Sequence, residues 1–282
     1  MINIGREARK HLGQLSKADL HIHSNFSDGK PSIEEILDYV EKETDLAVIA
    51  ITDHDTIEGA LLARELLAKK KHRFEVVVGE EVSSLEGHIL GLYLKKAIKP
   101  GLPAHQVISE IHSQGGIAIA AHPLYTTRMN HREMASPIVN GVGSKELLKD
   151  KEGFDALETV NATPLMGDEN LRAKYLNRLL LFRAETGSSD AHILDAIGKG
   201  FTLFEGKTAA DLKKAILDFQ TQSMNERWNI LGVLKYGFYF LPHGLRTTAR
   251  TIVFGPSRKE PSFIKFPRNG TLKKEVGSDE SV

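Results

Sequence analysis

Short runs of apolar, largely β-branched residues alternate along the chain with segments whose apolar residues recur at helical spacing. Such short continuous runs are typical of strands that are buried on both faces. The runs that predict strands are Leu46–Thr52, Phe74–Val78, His88–Leu94 and Ile117–Ala121, with weaker patterns at Ala156–Val160 and Phe201–Phe204.

Helix signals occupy the segments between these runs. Ser32 and Glu35 have the spacing of a capping box, and an apolar stripe follows them in phase with a helix. Further helices are predicted over Ala104–Ser113, over Asn170–Phe182 and after Thr208, where Asp211 completes a second cap. The stripe over Asn170–Phe182 consists of Leu171, Tyr175, Leu179 and Phe182.

Alternation of strands and helices predicts a parallel sheet with helices packed outside it. We expect this α/β sheet to close, or nearly close, into a barrel. The barrel is assigned to residues 1–220 and a separate C-terminal part to residues 221–282. The stretch 124–153 is polar and irregular, and a loop of that length in a compact domain is usually functional.

The C-terminal part begins with the apolar stretch Trp228–Leu241 and continues into a basic segment. Residues 241–282 contain eight Lys and Arg against four Asp and Glu. We expect a helix packed on the barrel, then a basic coil whose last residues are disordered. Contact with an anionic membrane surface or with an oligonucleotide backbone ranks behind packing.

Composition excludes several classes of protein. The 37 Lys and Arg balance 37 Asp and Glu, which argues against a surface devoted to nucleic acid. The chain has no cysteine, so disulfides, thiolate zinc sites and iron–sulfur clusters are excluded. No apolar run approaches the about 20 residues of a membrane span. The start has no secretory pattern, and a cytoplasmic enzyme is expected.

Histidines and carboxylates recur at the ends of the predicted strands. His21 and His23 alternate along the first strand, so both point to the same side. Successive strand ends of a barrel meet at one face, and imidazole with carboxylate suits zinc, iron or manganese. The sequence therefore predicts a metal centre at that face. The later strand ends supply Asp28, His54, Glu81, His88, His122, Asp190 and His192.

These motifs, taken in order, resemble those of the polymerase and histidinol phosphatase (PHP) superfamily. The resemblance extends over roughly residues 17–220 and implies a distorted (β/α)7 barrel of the TIM-like type. It is strongest to small bacterial phosphoesterases that act on nucleotides or short oligonucleotides. The motifs are His21-Ile-His23, Ser27-Asp28-Gly29, Thr52-Asp53-His54-Asp55, Gly79-Glu80-Glu81-Val82-Ser83, Gly87-His88, Ala121-His122-Pro123 and Ser189-Asp190-Ala191-His192.

The resemblance also implies two or three divalent ions and a set of ligands for each. One ion would be held by His21, His23, Glu81 and Asp190, a second by Glu81, His88 and His122, and a third by Asp28, His54 and His192. Glu81 would bridge the first two ions and, with Asp190 and His192, act in catalysis. Glu80 competes for the bridging role, but the spacing Gly79-x-Glu81 matches the family. Asp19, Asp53 and Asp55 are candidates for orienting the imidazoles.

The resemblance implies a metal-dependent phosphoesterase. It would hydrolyse phosphate monoesters of small metabolites, nucleotides above all, through a metal-activated hydroxide. A nuclease that trims short oligonucleotides is one alternative, and a non-catalytic metal-binding regulatory domain is another. The complete ligand set favours an enzyme over the regulatory domain. No stable nucleic-acid complex is expected. Arg128, His131 and Lys199 are candidates for binding substrate phosphate, although each also fits a solvated surface position.

Overall fold

The computed structural model describes residues 15–69, 71–125, 141–164 and 166–239. Strands in these ranges form one sheet in the order β7-β6-β5-β4-β3-β2-β1-β8-β9. The strands are β1 (Leu15–Ile22), β2 (Leu46–Ile51), β3 (Glu75–Ser83), β4 (His88–Leu92), β5 (Ile117–Ala120), β6 (Ala156–Asn161), β7 (Ala184–Ser188), β8 (Gly200–Glu205) and β9 (Gln222–Asn225).

The two ends of this sheet lie against each other, so the sheet is a nearly closed barrel. Thr221, just before β9, donates a 2.8 Å hydrogen bond to the carbonyl of Glu185 on β7. The hydroxyl of Thr159 on β6 donates to Ser223 Oγ on β9 at 2.8 Å. The distorted TIM-like barrel expected from the sequence is confirmed. Its sheet continues to Asn225, past the boundary placed at residue 220.

Most of the helices cover the outside of the barrel, whereas the helix Ala209–Leu217 packs against its inner core. Within the described ranges none of them has the length and apolar character needed to cross a membrane. They are α1 (Ile33–Glu43), α2 (Glu58–Lys69), α3 (Ala104–Ser113), α4 (Gly143–Lys149), α5 (Gly167–Leu176) and α6 (Ala209–Leu217), with a π-helical turn at Asn177–Leu181, a 3₁₀ turn at Leu194–Ala196 and a helical segment at 230–239.

Two strands run against the others, so the prediction of an all-parallel sheet was wrong. β4 pairs antiparallel with β3 and β5, and β8 pairs antiparallel with β1 and β9. Residues 84–87 are too few for a parallel crossover, which needs about a dozen residues. As a result, β4 starts where β3 ends, with His88 opposite Ser83. The first residue of β4 therefore lies at the same edge as the last residues of its neighbours.

The sheet is buried on both faces, as the apolar runs predicted. On β2, Val48 and Ala50 belong to the core inside the barrel. Ile49 and Ile51 alternate with them and pack beneath the outer helices. Both faces of one short strand are therefore apolar, which explains a continuous run of apolar residues instead of alternation.

The helix caps match their prediction, whereas the buried face of α5 does not. Ser32 accepts from the Glu35 amide, and the Glu35 carboxylate accepts from the Ser32 amide. On α5 the predicted apolar stripe faces solvent, with Leu171 54% and Tyr175 59% exposed. The stripe at Ala173 packs on the barrel instead. Met166, Ala173, Asn177 and Leu181 also recur at helical spacing and form the buried stripe. Helical spacing alone does not choose between two such stripes.

The segment 124–153, predicted to be irregular, contains the helix α4. Glu146 and Leu147 of this helix are buried. Before this helix, the amide of Gly141 donates a 2.9 Å hydrogen bond to the carbonyl of Tyr125. Residues 126–140, with Arg128 and His131 among them, lie outside the described residues.

Candidate metal centre

The carboxyl ends of the strands converge on one cluster of imidazoles and carboxylates. His21 on β1 and His23 just after it are completely buried and point into the same space. Their ring centroids lie 5.0 Å apart. Each of the nine ligand candidates predicted from the sequence belongs to this cluster, as the distances below show.

Glu81 lies at the middle of the cluster and faces two groups of histidines. Its Oε1 is 2.8 Å from His88 Nδ1 and 3.0 Å from His122 Nε2. Its Oε2 faces a second set, at 3.1 Å from His21 Nε2, 3.2 Å from His23 Nε2 and 3.3 Å from His54 Nδ1. One carboxylate is thus shared by five imidazoles, with a different oxygen atom directed to each group.

Two aspartates flank this arrangement. Asp190 Oδ1 lies 3.3 Å from His23 Nε2 and 3.5 Å from His21 Nε2. On the other side, Asp28 Oδ2 lies 3.2 Å from His192 Nε2 and 3.7 Å from His54 Nε2. Asp190 therefore lies beside His21 and His23, and Asp28 lies beside His54 and His192.

Glu80 points away from the cluster because neighbouring residues of a strand face opposite sides. Its Oε2 accepts a 2.8 Å hydrogen bond from the amide of Ile98. Burial raises the pKa of Glu80 to about 8. Of the two adjacent glutamates, Glu81 is the one among the histidines, in agreement with the register chosen from the sequence.

Three further aspartates hold the loops that carry the candidate ligands. Asp53 accepts from the amide of Ser24 at 2.7 Å and from the hydroxyl of Ser27 at 2.6 Å. Asp19 accepts from the Ser189 amide at 3.0 Å, next to Asp190. Asp55 likewise accepts from the amide and hydroxyl of Ser83. These carboxylates fix backbone segments, whereas the sequence suggested that they orient imidazoles.

A further carboxylate, Glu158 on β6, contacts the imidazole of His21 from behind the cluster, and sequence reasoning missed it. Its Oε1 lies 2.9 Å from His21 Nδ1, and its Oε2 accepts from the His122 amide at 2.6 Å. Asn161 Nδ2 donates to Glu158 at 3.0 Å and to Asp190 at 3.1 Å. A charged residue within the buried strand β6 was the available signal, because an unpaired buried carboxylate is costly.

Backbone conformation at the cluster is unusual in three places. His122, Asp190 and Asp55 have positive φ values of 28°, 52° and 55°. Residues other than glycine seldom adopt this region, and such strain concentrates at functional sites. Gly29 meets a different need: a Cβ there would lie 2.4 Å from the backbone of His23. The turn that carries Asp28 can therefore pack directly against the first strand.

Buried ring nitrogens crowded against carboxylates indicate that the cluster fits divalent metal ions. Within the described ranges, no well-aligned hydrogen bond engages His21 Nε2, either ring nitrogen of His23, or His122 Nδ1. Carboxylate oxygens lie 3.1–3.5 Å from the nitrogens of His21 and His23, at ion-pair distance. Buried polar atoms without a well-formed hydrogen bond are rare in a folded protein. Four overlapping sets of donors each lie within 4.8 Å of one another. Nitrogen and carboxylate donors without sulfur suit zinc, manganese or iron.

Electrostatics in the cluster reflect burial opposed by close charge pairs. Burial disfavours the charged form of His21, but Asp190 and Glu81 overcome it and raise its pKa well above the ordinary value. The same carboxylates raise the pKa of His23 to about 10. For His54 burial prevails, and the pKa falls to about 4. The pKa values of Glu81 and Asp190 are lowered against their burial by neighbouring histidines, so both stay ionised, as metal ligation requires.

Lys199, predicted to bind substrate phosphate, is engaged elsewhere. Its Nζ lies 3.8 Å from Glu226 Oε2, just beyond β9. The backbone joins the same two residues, since the amide of Glu226 donates to the carbonyl of Lys199 at 2.7 Å. The structure thus gives Lys199 a carboxylate partner beside the β8–β9 pair.

Comparison with known proteins agrees with this geometry. The family model for the PHP domain matches residues 19–227. An uncharacterized protein of Methanocaldococcus jannaschii is 38% identical over 149 residues, covering 49% of this chain and 80% of that protein. A phosphoribosyl 1,2-cyclic phosphate 1,2-diphosphodiesterase of Eggerthella lenta is 37% identical over 92 residues, which cover 30% of this chain and 32% of that enzyme.

Solved structures share the fold at low sequence identity. A two-domain protein from Bacteroides vulgatus, containing a predicted PHP-like metal-dependent phosphoesterase, superposes with a TM-score of 0.58 and 16% identity over 79% of this chain and 69% of that one. PsfC from Pseudomonas syringae gives a TM-score of 0.58 and 17% identity over 82% of this chain and 99% of its own. With its motifs, barrel and clustered donors, the chain belongs to the PHP domain family of metal-dependent phosphoesterases, hydrolases that act on phosphate esters.

Proposed function

We propose that this protein hydrolyses phosphate monoesters of small metabolites, with nucleotides as its main substrates. The observation that carries the proposal is the position of Glu81, whose two oxygens face two different groups of buried histidines. A carboxylate placed in this way would serve as a ligand to cations held by either group of histidines. The candidate ligands are His21, His23, Asp28, His54, Glu81, His88, His122, Asp190 and His192.

Divalent ions bound there would neutralise the phosphoryl oxygens and lower the pKa of water that attacks phosphorus. The residues of the chain prepare this chemistry by their charge and rigidity. Glu81 is buried, Asp190 is 15% exposed and both are ionised, so they attract cations in a region from which water is largely excluded. Glu158 holds the ring of His21 in one orientation through a 2.9 Å contact. We propose that Glu81, Asp190 and His192 act in catalysis through the groups that they hold in place.

A small substrate is supported by the burial of the cluster. The side chains of His21 and His23 are not exposed at all, whereas Asp28 is 30% exposed and His54 13%. Asp28 is the most exposed of the nine candidate ligands, which supports entry of a substrate from its side. A relative named for a phosphoribosyl cyclic phosphate is consistent with a compact phosphorylated substrate. Contacts of Arg128 and His131 with its phosphate, and a cytoplasmic location, stay predictions from the sequence.

The proposal is tested by a hydrolysis screen on the full-length protein. Purified protein is stripped of metal, and manganese or zinc is then added back. Mononucleotides, sugar phosphates and oligonucleotides of increasing length are supplied, and released phosphate and shortened strands are both quantified. We expect metal-dependent release of phosphate from mononucleotides, faster than any cleavage of oligonucleotides.

Two results would contradict the proposal. Turnover that survives exhaustive chelation, in protein with no detectable metal, would exclude the metal centre. Cleavage of oligonucleotides without hydrolysis of any small monoester would replace the phosphatase with a nuclease. The screen also includes the variant Glu81→Gln, which we expect to be inactive. Its matched control is Glu80→Gln, the same substitution on the opposite face of β3.

A further inference from the structure

The helical segment 230–239 follows β9 and lies at the edge of the barrel where the candidate metal centre is found. The indole of Trp228, just before the helix, donates a 2.7 Å hydrogen bond to the carbonyl of Ala162 after β6. Within the helix, Tyr236 is 6% exposed and its hydroxyl lies 3.3 Å from Thr163 Oγ1. These contacts fasten the helix beside the ends of β6 and β7.

Tyr239 reaches the cluster itself. Its hydroxyl donates a hydrogen bond to the backbone carbonyl of Asp28. Its ring centroid lies 6.1 Å from that of His192. Asp28 is 30% exposed, the most of the nine candidate ligands, and His192 beside it is 8% exposed. The phenol ring therefore lies next to the most exposed of the candidate ligands.

The helix has two faces of different character. Tyr236 and Tyr239, three residues apart, share the face directed at the barrel. On the other face, Ile230 is 82% exposed and Phe238 is 72% exposed. The PHP domain match ends at residue 227, before the helix begins. The helix 230–239 thus lies outside the matched domain, and it contributes the side chain of Tyr239 next to Asp28 and His192.

We propose that Tyr239 is a specificity-determining residue that restricts the site to phosphates with one ester substituent. This inference rests on the proposed function. A phosphate at the end of a molecule can enter with its single substituent directed outward, on the side of Asp28 that is open. A phosphodiester inside a chain carries a second substituent, and the ring of Tyr239 occupies the room that this substituent requires. A wall on one side of a pocket excludes competitors by steric clash.

The test compares two synthetic substrates on the full-length protein loaded with manganese. 4-Nitrophenyl phosphate has one substituent, and bis(4-nitrophenyl) phosphate has two. The measured quantity is the ratio of kcat/KM for the diester to kcat/KM for the monoester. We expect Tyr239→Ala to raise this ratio at least about tenfold, because the side chain that blocks the second substituent is removed.

Three variants make the comparison specific. Tyr239→Phe keeps the ring and loses the hydroxyl, so we expect a ratio close to that of the wild type. Phe238→Ala changes an exposed neighbour on the opposite face, and its ratio should also be unchanged. Tyr239→Val repeats the truncation if the alanine variant fails to fold. Metal content and circular dichroism are recorded for each variant.

The outcomes separate the two proposals. An unchanged ratio in folded Tyr239→Ala with full metal content overturns the role of Tyr239 and leaves the phosphoesterase intact. If the wild type hydrolyses neither probe nor any small monoester, the proposed function fails. Binding of phenyl phosphate and diphenyl phosphate, measured by calorimetry, then still decides whether Tyr239 selects against the second substituent. If the ratio of the two binding constants, for phenyl phosphate and diphenyl phosphate, is the same in wild type and Tyr239→Ala, the inference is refuted by that measurement as well.

Discussion

Replacing Glu81 with glutamine perturbs both groups of histidines while keeping the size of the side chain. The carboxylate lies between 2.8 and 3.3 Å from five imidazole nitrogens, with both oxygens in use. Glutamine offers one acceptor oxygen, and its amide group directs N–H donors at the other set of imidazoles. We therefore expect Glu81→Gln to lose at least one bound ion and most of its activity.

The magnitude follows from the number of contacts. Removal of one electrostatic stabiliser of a transition state typically costs about 10²–10³ in kcat. Glu81 serves two groups at once, so we expect a loss of at least about 10³-fold, equivalent to ~4 kcal/mol. Stability should fall too, since removing one partner of a buried charge pair costs about 3–5 kcal/mol. The free energy of unfolding must therefore be measured beside activity.

The matched control is Glu80→Gln, one residue earlier on the same strand. Glu80 is equally buried, faces the other side and accepts from the amide of Ile98 at 2.8 Å. Burial raises its pKa to about 8, so near pH 7 glutamine replaces a largely neutral carboxyl group. Activity within about threefold of wild type is expected. Metal content by elemental spectrometry and hydrolysis with added manganese decide the case. A variant with Glu81→Gln that keeps its metal and activity, or a reversal of the two variants, would refute the reasoning.

The remaining predictions address the supporting groups. Glu158→Gln should lower metal affinity or activity about 10–100-fold, since it weakens the contact with His21, and normal values would refute its orienting role. Purified protein should carry more than one divalent ion per chain, and chelation should abolish hydrolysis until metal is restored. Glu80 has a folded-state pKa of about 8 against an ordinary 4.5, so its contribution to stability is full below pH 4.5 and lost as the pH rises through 8. Chemical unfolding of metal-free Glu80→Gln should therefore show a weaker decline in stability over that interval, and an equal decline would contradict the assignment. Neutralising the basic C-terminal residues should leave mononucleotide hydrolysis unchanged, whereas loss of oligonucleotide turnover alone, with reduced salt dependence, would favour the nuclease. These residues are Arg246, Arg250, Arg258 and Lys259.

Much of the barrel could be predicted because the signals are local. A continuous apolar run identifies a strand that is buried on both faces, as at β2, and a capping box identifies the start of α1. The direction of β4 was missed, although the short turn before His88 forces an antiparallel pair. The exposed face of α5 was missed because two stripes of the helix were in phase and only contact with the barrel chooses between them.

The same division applies to the candidate metal centre. Imidazole and carboxylate donors at strand ends can be read from the sequence, because donor chemistry and alternation along a strand belong to neighbouring residues. The structure brings the nine candidates together, and their role as ligands stays a prediction to be tested by metal analysis.

By itself, the sequence predicted the nine donors that the structure brings together and the apolar runs that become strands. Tertiary structure decided that Glu158, 137 residues from His21, contacts that imidazole. It also decided that Tyr239, 211 residues from Asp28, donates a hydrogen bond to the carbonyl of that residue. The physical reason is the same in both cases. Such contacts depend on the closure of the barrel and the return of the chain across it, which no spacing between neighbouring residues encodes.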